Sequence, residues 1–320
     1  MVTPDPLLYQ TPLPYRRTFY PMGFAATIAT NCETVIAAAE SVWSKFKKMR
    51  DEPAVEVRLA VSESLNDVKP PARMPTGQGH LVSFLHDAEN FAVCDLRTGF
   101  GFGWLTPAVA CDESYVRYHF VEACVYILLE ARYLIAAHAA CIELYGKGVL
   151  LTGDCGAGKS TLAYHSAKRG WAFVCDDGAH FIRGSADRVV VGNPYQIRFR
   201  PHAMSLFPEL AGNVPFERPN GKPSIEVDTA SLQLTIAEQT TPDYLVFLNR
   251  TPNMPQLLAR YDKDEAFARM SQVICYGEES FRDELRKSLR RLLTMPIYEI
   301  QYHDLDWAEQ RLRSLVENGE

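Results

Sequence analysis

The spacing of apolar residues changes several times along the chain, and each change marks an element. From Thr30 onward, Val35, Ile36, Ala39, Val42, Trp43 and Phe46 recur at helical spacing. Thr30 and Glu33 have the spacing of a capping box, so a helix is expected to begin there. Residues 55–61 (Val-Glu-Val-Arg-Leu-Ala-Val) alternate like a half-buried strand. The proline- and glycine-rich stretch 69–79 predicts a loop. Strands are expected at 80–85, 90–96 and 101–106, with a turn at Arg97-Thr-Gly-Phe-Gly. Residues 1–20 show no period and suggest an extended arm or a first edge strand. Asp112 is placed to cap a long apolar helix running to about residue 134, which puts a boundary near 110.

Beyond that helix the pattern becomes that of an α/β domain. A strand over 138–144 turns at Tyr145-Gly-Lys-Gly148 into 148–152 (Gly-Val-Leu-Leu-Thr), a continuous apolar run of the kind a buried parallel strand shows. Residues 159–169 read as a helix stopped by Gly170, and 171–175 as another buried strand. A hairpin at 180–191, an extended segment at 194–202 and a long loop at 208–224 follow. A strand at 244–248, helices at 262–274 and 278–293, a strand at 297–302 and a helix at 305–318 complete the chain. The expected organisation is an α+β domain over 1–111 and a P-loop α/β domain over 112–320.

The junction of strand and helix carries the chemistry. Gly153-Asp154-Cys155-Gly156-Ala157-Gly158-Lys159-Ser160-Thr161 fits the phosphate-cradling pattern G-x-x-x-x-G-K-[ST] in its required strand–turn–helix context. Glycines allow the backbone to close around an anion, and the amides of the first helical turn point at it with the positive end of the helix dipole. Lys159 can reach the β- and γ-phosphates of ATP, and the Ser160 hydroxyl can ligate Mg²⁺. Asp154 is expected to turn away from phosphate. Cys155 reads as a small residue that fits the loop, or as a thiol near a helix N-terminus. The strand at 171–175 ends in Asp176-Asp177-Gly178, which is ordinary turn chemistry or, at this distance from a P-loop, a metal-binding carboxylate beside a base. His138 opens the preceding hairpin and reads as a strand-end histidine or a third member of that cluster.

His138, the run from Gly148 to Ser160 and the Asp176-Asp177 pair resemble the C-terminal kinase domain of HPr kinase/phosphorylase. The resemblance covers roughly residues 130–200. It implies a fold related to phosphoenolpyruvate carboxykinase, with His138, Asp176 and Asp177 around the transferred phosphoryl group and one aspartate acting on a serine hydroxyl proton. Two features of that family are missing: its characteristic C-terminal segment, and an N-terminal half of its type. The resemblance therefore implies kinase chemistry without implying HPr as substrate or phosphorolysis.

Composition narrows the remaining choices. With 47% apolar and 22% charged residues the chain is that of a globular protein, and a net charge of −6 argues against a general nucleic-acid binder. The opening Met-Val-Thr-Pro-Asp-Pro has no basic n-region followed by an apolar stretch, so no signal peptide is expected, and the most apolar run, about 120–144, holds Glu122, Glu130, Arg132 and His138, so no membrane span is expected. Eight scattered cysteines suggest free thiols in a cytoplasmic protein. Arg198 and Arg200 share a face of the 194–202 segment and offer a phosphate or carboxylate contact, or a solvated face. Lys222 in the 208–224 loop, as an acceptor-side lid, and Arg250 after the 244–248 strand are further candidate cations. The arginines and acids of 278–291 read as a solvated helix face. The expected function is transfer of a phosphoryl group from MgATP to a hydroxyl of a protein, peptide or small molecule. Lys159 would hold phosphate, Ser160 and Asp176 Mg²⁺, and Asp177 would act as base. A nucleotide-binding regulatory module and an ATPase are the alternatives, and a homo-oligomer is compatible with all three. The 1–111 half shows no chemistry of its own; regulation, substrate docking and oligomerisation all fit it.

Overall fold

A computed structural model describes residues 5–64, 66–185, 187–217, 221–252 and 254–319. Residues 1–4 of the expected arm, residue 186 of the 180–191 hairpin and residues 218–220 of the expected lid lie outside the described residues. The chain packs as two units, one comprising residues up to Tyr133 with Tyr276–Arg282, the other Leu134–Cys275 with the chain from Asp283.

The first unit is built on a sheet of seven strands, β1 (Tyr15–Phe19), β2 (Ala26–Thr30), β3 (Val55–Val61), β4 (Thr76–Gln78), β5 (Leu81–Leu85), β6 (Phe91–Asp95) and β7 (Phe100–Leu105). Their order is β1-β2-β3-β7-β6-β5-β4, with β2, β3 and β7 parallel to one another. The edge strand β1 lies in the expected arm, whereas β2 and β4 fall where no strand was expected. The expected capping box does not form. Thr30 is paired on both sides, with Tyr15 and Leu59, and its Oγ accepts from the Cys32 amide at 3.2 Å. Sheet pairing thus holds it extended, and the helix Glu33–Trp43 starts later, from Cys32 without a side-chain cap.

Asp112 does cap its helix, accepting from the Tyr115 amide at 2.9 Å. The helical stretch 113–132 passes through a π-helical turn at Arg117–Glu122. Its buried side chains Phe120, Cys124 and Leu128 belong to the core of this first unit, and the Tyr133 hydroxyl donates to the Pro53 carbonyl at 2.7 Å. Packing therefore divides the chain after Tyr133, whereas the sequence pattern placed the boundary near 110. Apolar periodicity marks a helix as buried but does not say against which neighbour.

A histidine pair, His86 buried and His119 partly so, is expected to make this unit sensitive to acid. His86 is 1% exposed and its Nδ1 accepts from the Arg73 amide at 3.0 Å. Among the described residues the Nε2 atoms of His86 and His119 have no hydrogen-bond partner, and the two rings lie 5.1 Å apart. Burial and the neighbouring His86 push His119 down to about 4, with Lys69 adding to the shift and Asp112 opposing it. Burial, with a smaller contribution from Arg73, lowers His86 as well, against the opposing pull of Asp87. A histidine neutral in the folded state and basic when unfolded contributes stability that is intact above about pH 6.5 and is lost as pH falls towards 4. Up to about 3 kcal/mol is at stake for His119. Melting temperatures between pH 7 and 4.5 should drop more steeply for the wild type than for His119→Leu. Parallel curves would refute the assignment.

The second unit holds β8 (Leu134–Ala136), β9 (Ala140–Leu144), β10 (Lys147–Thr152), β11 (Ala172–Cys175), β12 (His180–Ile182), β13 (Val190–Val191), β14 (Gln196–Phe199), β15 (Phe216–Glu217), β16 (Pro223–Asp228), β17 (Gln239–Thr240), β18 (Pro242–Arg250), β19 (Leu257–Arg260) and β20 (Ile297–Tyr302). Its central sheet runs β11-β9-β10-β18-β20-β19. Val149, Leu150 and Leu151 of β10 are all fully buried, as a strand covered on both faces requires. One face is covered by the helices Lys159–Ala167 and Leu305–Asn318, whose Leu162, Tyr164, Leu312 and Leu315 share a core with Trp171, Phe199 and Phe207. The chain around 180–191 pairs as expected but within a separate four-stranded sheet, β17-β13-β12-β8.

Candidate phosphoryl-transfer site

Strand direction brings the candidate residues to one edge of the central sheet. β10, β18 and β20 are mutually parallel, so Thr152, Arg250 and Tyr302 end at the same edge. β9 is antiparallel to β10, which places its start, after His138, at that edge. β11 is antiparallel to β9, so Cys175 and the following aspartates return there. Ligands of open α/β sheets bind at the carboxyl ends of parallel strands for this reason.

The P-loop links β10 to the helix Lys159–Ala167. Gly153, Gly156 and Gly158 have φ of 145°, 90° and 99°. A Cβ on Gly153 would lie 2.8 Å from the Leu248 carbonyl oxygen, and one on Gly158 would collide with the Tyr302 hydroxyl. That hydroxyl donates to the Ala157 carbonyl at 2.8 Å and braces the turn from β20. Gly158→Ala therefore combines a left-handed backbone with a collision. It should weaken MgATP binding more than tenfold by calorimetry, with partial recovery in Gly158→Ala/Tyr302→Phe. Unimpaired binding by Gly158→Ala would show that the amides of this turn do not hold phosphate.

Lys159 is nearly buried, its Nζ donating to the Gly153 carbonyl at 2.9 Å and standing 3.7 Å from Asp177 Oδ1. The same Oδ1 lies 3.5 Å from His138 Nδ1. Backbone bonds fix this encounter: the Ala137 amide donates to Ala179 O at 2.8 Å and the Ala179 amide to Ala139 O at 3.1 Å. His138 is held between them in a left-handed conformation, φ 43°, which a non-glycine residue adopts at some cost. It stands just before β9, not within it. Both His138 and Asp177 are half exposed.

Asp176 faces inward, with Oδ2 accepting from the Arg198 amide at 2.7 Å. Burial, reinforced by Asp177, raises its carboxyl to about 6. Such a group gains most from a cation. Ser160 and Thr161 occupy the first turn of the P-loop helix. Among the described residues no three His, Cys, Asp or Glu side chains are arranged to hold a metal. Mg²⁺ does not need such a cage, because it takes one or two protein ligands together with phosphate and water. The glycine cradle, Lys159, Ser160 and Asp176 fit MgATP on this ground.

The remaining candidates divide. Arg198 is committed within the protein, its Nε donating to Glu226 at 2.7 Å, so it does not share a free face with Arg200. Arg200 Nη2 and Lys222 Nζ instead both approach Cys155 Sγ, at 3.9 and 3.8 Å. Arg250 is exposed at the end of β18 in register with Tyr302, and among the described residues no hydrogen bond ties it to the loop. Asp154 turns outward to Arg269, 3.0 Å away, which also lies over the Phe247 ring. Sequence reasoning missed Arg269 and Tyr302. No local signal distinguishes Arg269 from the other charges of its helix, or Tyr302 from any strand tyrosine.

The family described as HPr Serine kinase C-terminal domain matches residues 132–200, the segment from β8 through the P-loop and both aspartates to β14. This part of the chain is HPr kinase-related. An HPr kinase/phosphorylase from an Exiguobacterium species is 37% identical over 68 residues, 21% of this chain and 22% of that protein. One from Bacillus mycoides is 39% identical over 59 residues, 18% of this chain and 19% of that protein. The chain thus spans about a fifth of the length of the curated relatives it matches. The solved Hpr(Ser) kinase/phosphatase from Coxiella burnetii aligns over 57% of this chain and 95% of its own, with 17% identity and a TM-score of 0.31. The HPr kinase-related segment has the P-loop α/β architecture that its sequence pattern predicted.

Proposed function

We propose that the chain is an ATP-dependent phosphotransferase that moves the γ-phosphoryl group of MgATP to a hydroxyl. The observation that carries this reading is the meeting of Lys159, His138 and Asp177 at one carboxylate oxygen beside a P-loop. A protein that only bound nucleotide would need the cradle but not a base.

Bound MgATP would supply the phosphoryl group and the metal charge that screens it. The loop amides from Gly153 to Thr161 and the Lys159 ammonium would hold the phosphates. Lys159 already sits on the Gly153 carbonyl, so it needs only to exchange that acceptor and Asp177 for phosphate oxygens. Ser160 Oγ and the Asp176 carboxylate would hold Mg²⁺, and metal charge would keep Asp176 ionised despite its burial. Asp177 Oδ1, half exposed where an acceptor can arrive, would take the hydroxyl proton, with His138 Nδ1 orienting it. Arg250 would add positive charge from the β18 end.

Lys159 lies in the loop, Arg200 and Lys222 approach it at Cys155 and Arg269 at Asp154, in a chain whose net charge is −6. Local positive charge against an acidic whole suits a small anionic ligand rather than nucleic acid. Among the described residues no helix is long and apolar enough to cross a membrane. The proposed setting is the cytoplasm, where ATP is abundant, and the acceptor is a serine-like hydroxyl of a protein, peptide or small molecule. A calorimetric titration with ATP, with and without Mg²⁺, tests the reading: magnesium-dependent binding supports it, and no binding refutes it. γ-Labelled ATP then separates transfer from hydrolysis, since an ATPase would release all the label as inorganic phosphate.

A further inference from the structure

Far from the P-loop, a cavity of about 550 Å³ opens in the second unit, lined by Asp187, Arg188, Thr241, Arg291 and Thr294. Its wall is drawn from three stretches of chain. Arg188 lies just before β13 and Thr241 just before β18, while Arg291 and Thr294 stand at the end of the helix Glu279–Leu292 and in the turn that leads to β20. β18 and β20 run parallel and carry Arg250 and Tyr302 to the P-loop edge, so the residues that precede them stand at the opposite edge of the central sheet. At about 3.3 Å per residue, the nine residues of β18 put roughly 30 Å between Thr241 and Arg250. A ligand held here is not a nucleotide phosphate in the loop.

The charges in the wall favour an anionic guest. Arg188 donates from Nη1 to Thr294 Oγ1 at 3.2 Å, which fixes where its guanidinium lies. Among the described residues no carboxylate pairs with Arg188 or Arg291, although Asp187 lines the same cavity. Neighbouring arginines of this unit are neutralised instead: Arg290 meets Asp264 at 2.9 Å, and Arg183 meets Glu284. Arg188 also adopts a left-handed backbone, φ 53°, which costs a non-glycine residue energy. A helix dipole accounts for a cation at Arg291, in the last turn of its helix, but not for a second one at Arg188, which lies outside any helix. Two like charges lining one cavity repel each other, and an oxyanion between them offsets that cost.

The cavity has the volume of a small-molecule site, more than a lone phosphate or carboxylate fills. Asp187 repels a bare anion but can accept hydrogen bonds from hydroxyl groups attached to one. We infer that the cavity binds a small organic oxyanion, a phosphate or carboxylate carried on a hydroxyl-bearing skeleton. Arg188 and Arg291 engage the oxyanion through their planar sets of N–H donors, Thr241 adds a hydroxyl, and Asp187 accepts from the skeleton. The inference stands independently of the phosphotransferase reading.

Calorimetry on the full chain tests it, with glycerol 3-phosphate and L-malate as probes and glycerol as the uncharged control. Saturable binding of either anion, weakened at least tenfold by Arg291→Gln and by Arg188→Gln but held within twofold in Lys159→Ala, supports the site. Which of the two binds assigns the oxyanion to phosphate or to carboxylate. Arg291 is exposed, so its variant should melt with the wild type and keep the comparison free of misfolding. Binding lost in Lys159→Ala and retained in both arginine variants would overturn the inference, because the anion would then occupy the P-loop. Glycerol binding as tightly as the anions would overturn it too, as would the absence of saturable binding by either anion at millimolar concentration.

Discussion

Asp177→Asn should abolish phosphoryl transfer, by about 10²- to 10⁴-fold for loss of a positioned base, while MgATP affinity stays within a few-fold. The substitution keeps the size of the side chain and its half-exposed position. It removes the oxygen charge that stands 3.7 Å from Lys159 and 3.5 Å from His138. Two consequences for binding oppose each other. Lys159 loses a partner that competes with phosphate, and the site loses a carboxylate near the metal. Asp177 is also the second cause, after burial, of the raised Asp176 carboxyl, so its removal should ease ionisation of Asp176 and favour Mg²⁺. Single-turnover transfer and calorimetry on the same variant separate the roles. Parallel loss of binding and transfer would make Asp177 a ligand rather than a base.

Lys159→Ala should instead strike binding itself. Its ammonium is almost fully buried, and the group it would meet is the most highly charged part of the ligand. Truncating one partner of a buried charged pair costs about 2–5 kcal/mol, or roughly thirtyfold and more in dissociation constant. In the free protein the same change leaves the Gly153 carbonyl without its 2.9 Å donor, which lies in the loop and can turn to water. Thermal stability without nucleotide is therefore expected to change little. The protection that MgATP gives against unfolding should largely vanish, because that protection scales with occupancy. A dissociation constant equal to that of the wild type would remove the cradle assignment, and with it the reason to look for an acceptor.

Much of this candidate site was legible along the chain because the phosphate cradle proposed here is local. The glycines, Lys159 and Ser160 lie within one strand–turn–helix segment, and their proposed roles follow from backbone conformations that short-range sterics decide. The Asp176-Asp177 pair could be related to that segment because one strand separates them. Arg198 shows where such reading ends. Its periodicity places it beside Arg200, but Glu226, which engages its guanidinium, is distant in sequence. The capping box at Thr30 failed similarly, since pairing with Tyr15 and Leu59 outweighs a local hydrogen bond.

What the sequence by itself determined is the glycine-rich turn, its strand and helix, and the acidic pair that ends the next strand, all products of near-neighbour geometry. Only the tertiary structure decided which cations join them. Arg200 and Lys222 at Cys155, Arg269 at Asp154 and Tyr302 at Ala157 arrive from four separate segments of the chain, through strand order and helix packing. The encounter of His138 with Asp177 belongs to the same class, set by two backbone bonds between 137–139 and 179. Side-chain convergence across long sequence separations depends on how sheets pair and cores fill. No spacing along the chain records it.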